Sequence, residues 1–148
     1  MQPPDISESD TMTTRTFPGN YQSLEAISNF IIDQAEQENF TKNDIYAIQT
    51  AVDEACSNII DHAYRGENKG LINIQVQPIE KGLQIIIQDD GIPFDPDDVP
   101  EPDITSPLEI RKERGLGIFF MRKLMDRVIF DFSESAGNTL TLVKFREG

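Results

Sequence analysis

The chain has 148 residues, 38% of them hydrophobic, which suits one domain whose core removes roughly 70% of the unfolded surface from water. Thirteen basic residues against 26 acidic ones give a formal charge of -13, which repels nucleic-acid phosphates and anionic lipid headgroups and favours protein partners with basic patches. The single cysteine, Cys56, excludes an internal disulfide, and no leader pattern or membrane-length apolar run occurs, so a cytoplasmic protein is expected.

Residues 1–11 are polar, carry Asp5, Glu8 and Asp10 without a basic residue, and are expected to form a loose tail before a domain at 12–148. A β-prone run from Met12 to Phe17 ends at Pro18-Gly19-Asn20, and Leu24, Ile27, Phe30, Ile31 and Ala35 then recur at helical spacing. Thr41 opens a second helix, predicted to run to about Tyr64, with Ile45, Ile48, Val52, Cys56, Ile59 and Ala63 on one face. On that face Cys56 reads as a small packing residue. Gly66 and Gly70 break the pattern, and Leu71 to Val76 and Leu83 to Ile87, joined through Glu80-Lys81-Gly82, predict a hairpin.

Residues 91–113 hold five of the nine prolines and many acids, a long loop of the kind that forms lids. A helix from about Leu116 to Met125 follows, then a strand over Val128 to Phe132, a turn at Ser135-Ala136-Gly137-Asn138, and a strand over Leu140 to Phe145. This order implies a two-layer α/β sandwich: a mixed, largely antiparallel sheet with helices on one face.

Three motifs carry the chemistry. Glu54 and Asn58 lie one helical turn apart beside the apolar face, and His62 continues their line. The Asn58 amide oxygen is a hard ligand suited to Mg²⁺, Glu54 can accept a proton, and His62 is assigned a supporting role. Asp89 emerges from a strand where it can accept a hydrogen bond from the exocyclic amine of adenine, with Gly91 allowing close backbone approach and Phe94 nearby. Gly115 and Gly117 bracket Leu116 at a helix start, leaving room for phosphate against unpaired amides; of Arg111, Lys112 and Arg114, the last is the preferred phosphate contact. Neither a Walker loop nor a dinucleotide fingerprint occurs. In this order the motifs read as a Mg-ATP site.

These residues resemble the GHKL, or Bergerat-fold, ATP-binding family, and within it the small anti-sigma factor serine kinases of bacteria, over about residues 12–146. Glu54 to Asn58 with His62-Ala63-Tyr64 looks like the N box of that group. Asp89-Asp90-Gly91 looks like its first glycine box, and Arg114-Gly115-Leu116-Gly117 with Phe120, Arg122 and Met125-Asp126 like its second. Gly137-Asn138-Thr139-Leu140 and Lys144 look like its closing hairpin, with Thr139 near the adenine. The resemblance implies a homodimer that binds ATP and Mg²⁺, sequesters a sigma factor, and phosphorylates a STAS-type anti-anti-sigma factor, with no direct nucleic-acid or membrane contact. By carry-over, Glu54 is the catalytic base, Asn58 holds Mg²⁺, and Asp89 reads adenine. The alternative is a non-catalytic, ATP-responsive module that sequesters a sigma factor or another regulator. A sensor histidine kinase catalytic domain would need a separate helical module bearing its acceptor histidine, whereas His62 lies inside the ATP-site helix.

Overall fold

A computed structural model describes residues 12–93, 116–133 and 137–146. The expected tail, most of the expected lid, Phe94, Arg114 and Gly115 lie outside the described residues, as do the side chains of Leu116 and Gly117. The elements are β1 (Thr13–Pro18), α1 (Ser23–Gln37), α2 (Lys42–Asn58), β2 (Leu71–Ile79), β3 (Gly82–Asp89), α3 (Leu116–Leu124), β4 (Arg127–Ser133) and β5 (Gly137–Phe145). Type and order match the sequence reading.

The five strands form one sheet in the order β1-β2-β3-β5-β4. All four neighbouring pairs are antiparallel, so the sheet is antiparallel throughout and not mixed as expected. β3 and β4 flank β5 and each runs opposite to it, so they are parallel to one another without touching. The strand–helix–strand unit therefore exists, with β5 inserted into its middle.

Strand alternation sends Ile72, Ile74 and Val76 of β2, Ile85 and Ile87 of β3, and Leu140 and Leu142 of β5 to one face, all buried. They pack with Ile27 and Ile31 of α1, Ile48, Val52 and Cys56 of α2, and Met121 of α3 in one core. Cys56 is fully buried, and that burial, with the nearby Asp53 charge, pushes its thiol well above the ordinary value, which fits the packing role. The opposite face of the sheet carries Asn73, Gln75, Gln77, Gln84, Gln88 and Thr141. Among the described residues no helix is long and apolar enough to cross a membrane.

The second helix departs from expectation at its end. After Asn58 the coil widens into a π turn over Ile59–Ala63, with the Tyr64 amide donating to the Ile59 carbonyl at 2.8 Å and the Gly66 amide to the Ile60 carbonyl at 2.9 Å. His62 lies within this turn and its side chain is exposed. What holds the turn is the buried Tyr64 ring, lodged where neither Gly19 nor Gly70 has a side chain: a β-carbon on Gly70 would stand 2.4 Å from the ring. The Tyr64 hydroxyl donates to the Leu71 carbonyl at 2.5 Å and accepts from the Asp90 amide at 3.1 Å.

At the other end of α2 the Thr41 hydroxyl accepts from the Asp44 amide at 3.1 Å, a regular N-cap. Thr41→Ala should lower stability by about 1 kcal/mol, read as a shift of the urea midpoint at constant m-value.

Candidate functional site

Between α2, α3 and the β4–β5 edge of the sheet lies an open cleft whose empty space, its mouth included, is about 320 Å³. It is lined by Ala55, Asn58 and Ile59 from the end of α2, Asp89 from β3, Met121 from α3, and Phe130, Phe132, Asn138, Thr139 and Leu140 from the terminal hairpin. Most of this lining is apolar, and its polar groups are few: the conditions for a site that excludes water and orients a ligand through specific hydrogen bonds.

Asp89 ends β3 and is 7% exposed. Its Oδ1 accepts from the Gly91 amide at 2.8 Å, an Asx turn, and from the Asn138 amide nitrogen at 2.8 Å. Burial raises the Asp89 pKa from its ordinary value; the bonds from Asn138 and Gly91 pull the other way, and the Asp90 charge adds to the rise. Both bonds fall on one oxygen, so the second oxygen of the carboxylate stands outside this pair.

Gly91 does its work against the protein. A β-carbon there would stand 2.6 Å from the Ala63 carbonyl group, and the next amide, of Ile92, donates to that carbonyl at 2.8 Å. The close approach expected of this glycine is thus to the end of the π turn, and Gly91 is not among the residues lining the cleft.

Asn58, at the last position of α2, also lines the cleft. Its amide nitrogen is buried without a hydrogen-bond partner. A flipped amide would present its oxygen at the same place, so the position offers either a donor for an anionic ligand or a hard oxygen for Mg²⁺. Among the described residues no group of three or more His, Cys, Asp or Glu side chains could hold a metal by itself. That suits Mg²⁺, which takes one or two protein ligands and completes its shell with water and phosphate oxygens. Glu54 stands one turn before Asn58, half-buried, and is not among the lining residues.

Thr139 lines the cleft, yet it pairs with Gln88 and Asp131 in the register that alternates with Asn138 and Leu140, so its side chain belongs to the opposite face. Asn138, expected in a turn, is the second residue of β5, 4% exposed, and bonds both Asp89 and the Gly91 carbonyl, the latter at 3.0 Å. It is the residue that the sequence reading missed. Extending the period-two pattern of Leu140 and Leu142 back by two residues identifies it. Phe130 and Phe132, two residues apart on the same face of β4 and stacked at 6.0 Å, were missed as lining residues for the same reason.

The helix that opens toward this region is held from behind. Lys144 donates to the Leu124 carbonyl at 2.8 Å, at the C-terminal end of α3 where a cation is favoured, and Asp126 accepts from the Phe145 amide at 2.7 Å. These bonds fasten α3 (Leu116–Leu124) to β5.

Residues 17–144 match the histidine kinase-like ATPase domain, and the chain belongs to that family. Serine-protein kinase RsbW of Halalkalibacterium halodurans is 33% identical over 134 residues, covering 88% of this chain and 80% of that protein. Serine-protein kinase RsbW of Bacillus velezensis is 33% identical over 118 residues, covering 77% and 72%. In fold the chain is similar to the crystal structure of the RsbU and RsbW domains of Rv1364c from Mycobacterium tuberculosis, with a TM-score of 0.65 at 14% identity, over 92% of this chain and 32% of that one.

Two outcomes test the Asp89 cluster. Gly91→Ala should cost about 1–3 kcal/mol by overpacking against backbone that cannot rotate away, measured by chemical denaturation. Because the folded state raises the Asp89 pKa, the stabilisation it brings is complete below the ordinary carboxylate value and is lost as pH rises through the folded value. Asp89→Asn retains an oxygen acceptor for both bonds and removes the charge. Its stability relative to the wild type should therefore rise with pH across that window, and equal pH profiles would refute the assignment.

Proposed function

We propose that the protein is an anti-sigma factor with Mg-ATP-dependent serine/threonine kinase activity, which sequesters a sigma factor and phosphorylates a STAS-type anti-anti-sigma factor in the cytoplasm. The observation that carries this reading is a cleft lined by both a buried carboxylate and a buried, unpartnered asparagine amide nitrogen, in a chain whose relatives are named serine-protein kinases. Asp89 accepts from the adenine amine, the apolar walls at Phe130, Phe132 and Ile59 cover the base, and Asn58 holds Mg²⁺. Bound there, Mg²⁺ neutralises charge on the phosphate oxygens. The first amides of α3, with Arg114, Gly115, Leu116 and Gly117, receive the phosphates.

Glu54 accepts the proton of the substrate hydroxyl as the phosphoryl group moves. A carboxylate is a weak base toward a hydroxyl, which a loose transition state tolerates because the proton leaves late. Positioning and charge neutralisation therefore carry most of the rate. A second copy of the chain is the further partner. On a chain with a net charge of -13, the open sheet face meets its own copy with least repulsion, since its interior strands carry Gln, Asn and Thr side chains.

The alternative, a nucleotide-responsive module without kinase activity, draws on the position of Glu54 outside the cleft lining. Thermal unfolding with Mg-ATP at a hundred times its Kd should show about 2.7 kcal/mol of added stability, abolished in Asn58→Ala. With a STAS partner and labelled ATP, Glu54→Gln should slow transfer about 100-fold while leaving ATP binding intact. A wild type that binds Mg-ATP and the partner without transferring label would replace the kinase reading with the non-catalytic one.

A further inference from the structure

Among the described residues β1 and β4 are the two edges of the sheet, and the chain treats them differently. β1 turns a charge inward, with the Arg15 guanidinium over the Phe17 ring at 4.9 Å and the Phe30 ring at 5.4 Å, and it ends at Pro18, which has no amide to donate. Both devices discourage a further strand from pairing there. β4 has neither. Its core-facing residues are Val128, Phe130 and Phe132, and its outward ones are Arg127, Ile129, Asp131 and Ser133, of which Ile129 is 52% exposed. Arg127 and Asp131 are exposed as well, and the Arg127 guanidinium lies 6.0 Å from the Phe145 ring, a contact that does not consume its N–H groups. An unguarded edge of seven residues is a template for another strand.

We propose that β4 pairs antiparallel with β4 of a second copy of this chain, about a twofold axis at Ile129, so that one sheet runs through both molecules. The strand is self-complementary in this register: Arg127 meets the partner's Asp131 at both ends, Val128 meets the partner's Phe130, and Ile129 meets itself. Opposite charges, and an aromatic ring facing a β-branched residue, are favourable cross-strand pairs. Moving the axis one residue, to Val128 or to Phe130, sets Arg127 or Asp131 against Ile129 and loses both charge pairs. Parallel pairing in register sets like charge against like. Direction and register are therefore both specified by the side chains. Two Arg127 and two Asp131 side chains bring no net charge to the contact, so a chain of net charge -13 meets its copy here without adding local repulsion. The contact is edge to edge and leaves the open sheet face uncovered, which makes it a self-contact distinct from the one at that face. Phe130 and Phe132 line the cleft from this same strand, so the pairing holds one wall of each cleft from both sides.

The test is disulfide trapping in the full chain. In this register the two copies of position 129 are directly opposed, with Cα atoms about 4.5–5.5 Å apart, inside the span that a disulfide bridges. Ile129→Cys is treated with oxidised glutathione at low protein concentration, and the linked dimer is followed on non-reducing gels; the native Cys56 is buried and silent. The variant is then combined with Arg127→Asp or with Asp131→Arg, and each fold is checked by its melting transition. The expected result is that Ile129→Cys links and that either charge reversal slows linking about tenfold. An equal mixture of the two reversed chains should link again, with one chain of each kind in the product by mass, because every crossing then joins opposite charges. Ile86→Cys, on an interior strand of the open face, reports face-to-face contact. No linking at 129, a rate indifferent to both reversals, or a mixture as slow as its parts overturns the proposal. Linking at 86 alone assigns the copy to the sheet face and overturns it too. The Mg-ATP reading does not depend on any of these outcomes.

Discussion

The buried Asp89 carboxylate is the constraint on which the rest of the site depends. It ends the central strand β3 at a depth where ionisation is disfavoured, and the direction of its pKa shift shows that burial outweighs the bonds from Gly91 and Asn138. Those bonds nevertheless determine the local chain path. One makes the turn that lets Gly91 lie against Ala63, and the other fastens the first residues of β5 beside the end of β3. The fold thus keeps a carboxylate where burial disfavours its charge, a pattern common at functional sites.

A second consequence concerns α2. Its polar edge is useful only if Asn58 points into the cleft, and the helix end is set by contacts from three directions: the π turn, the Tyr64 hydroxyl between Leu71 and Asp90, and the Ala63 carbonyl taken by Ile92. The carbonyls at a helix end need partners outside the helix, and here the loop after β3 supplies one. The ends of β3 and α2, which carry Asp89 and Asn58, are therefore coupled through backbone contacts at Ala63.

Every described element was legible in the sequence because each has a strong period: 3.6 in the faces of α1 and α2, two in β2, β3 and β5. The π turn was not, since a widened turn leaves the same apolar residues at nearly the same spacing, and what produces it is a tyrosine seated on Gly19 and Gly70, distant in sequence. The mixed sheet was expected because the order of elements does not reveal that β5 inserts between β3 and β4. In the site, Asn58 and Asp89 were found from their motifs and meet in one cleft. Thr139 was chosen over Asn138 because Gly137-Asn138 resembles a turn, a local signal that competes with strand alternation and loses once β5 pairs with β3.

Cys56 lies on the same helix as Glu54 and Asn58, with no exposed surface and a thiol held in its unreactive form. Mild oxidants and alkylating reagents therefore reach it only when α2 leaves the sheet, so the rate at which the native protein takes up a thiol label is a clock for that opening event. Since the opening dismantles the cleft, any molecule seated between Asn58 and Asp89 slows the clock. The chain thus carries a built-in chemical reporter of occupancy that needs neither a fluorophore nor a partner protein.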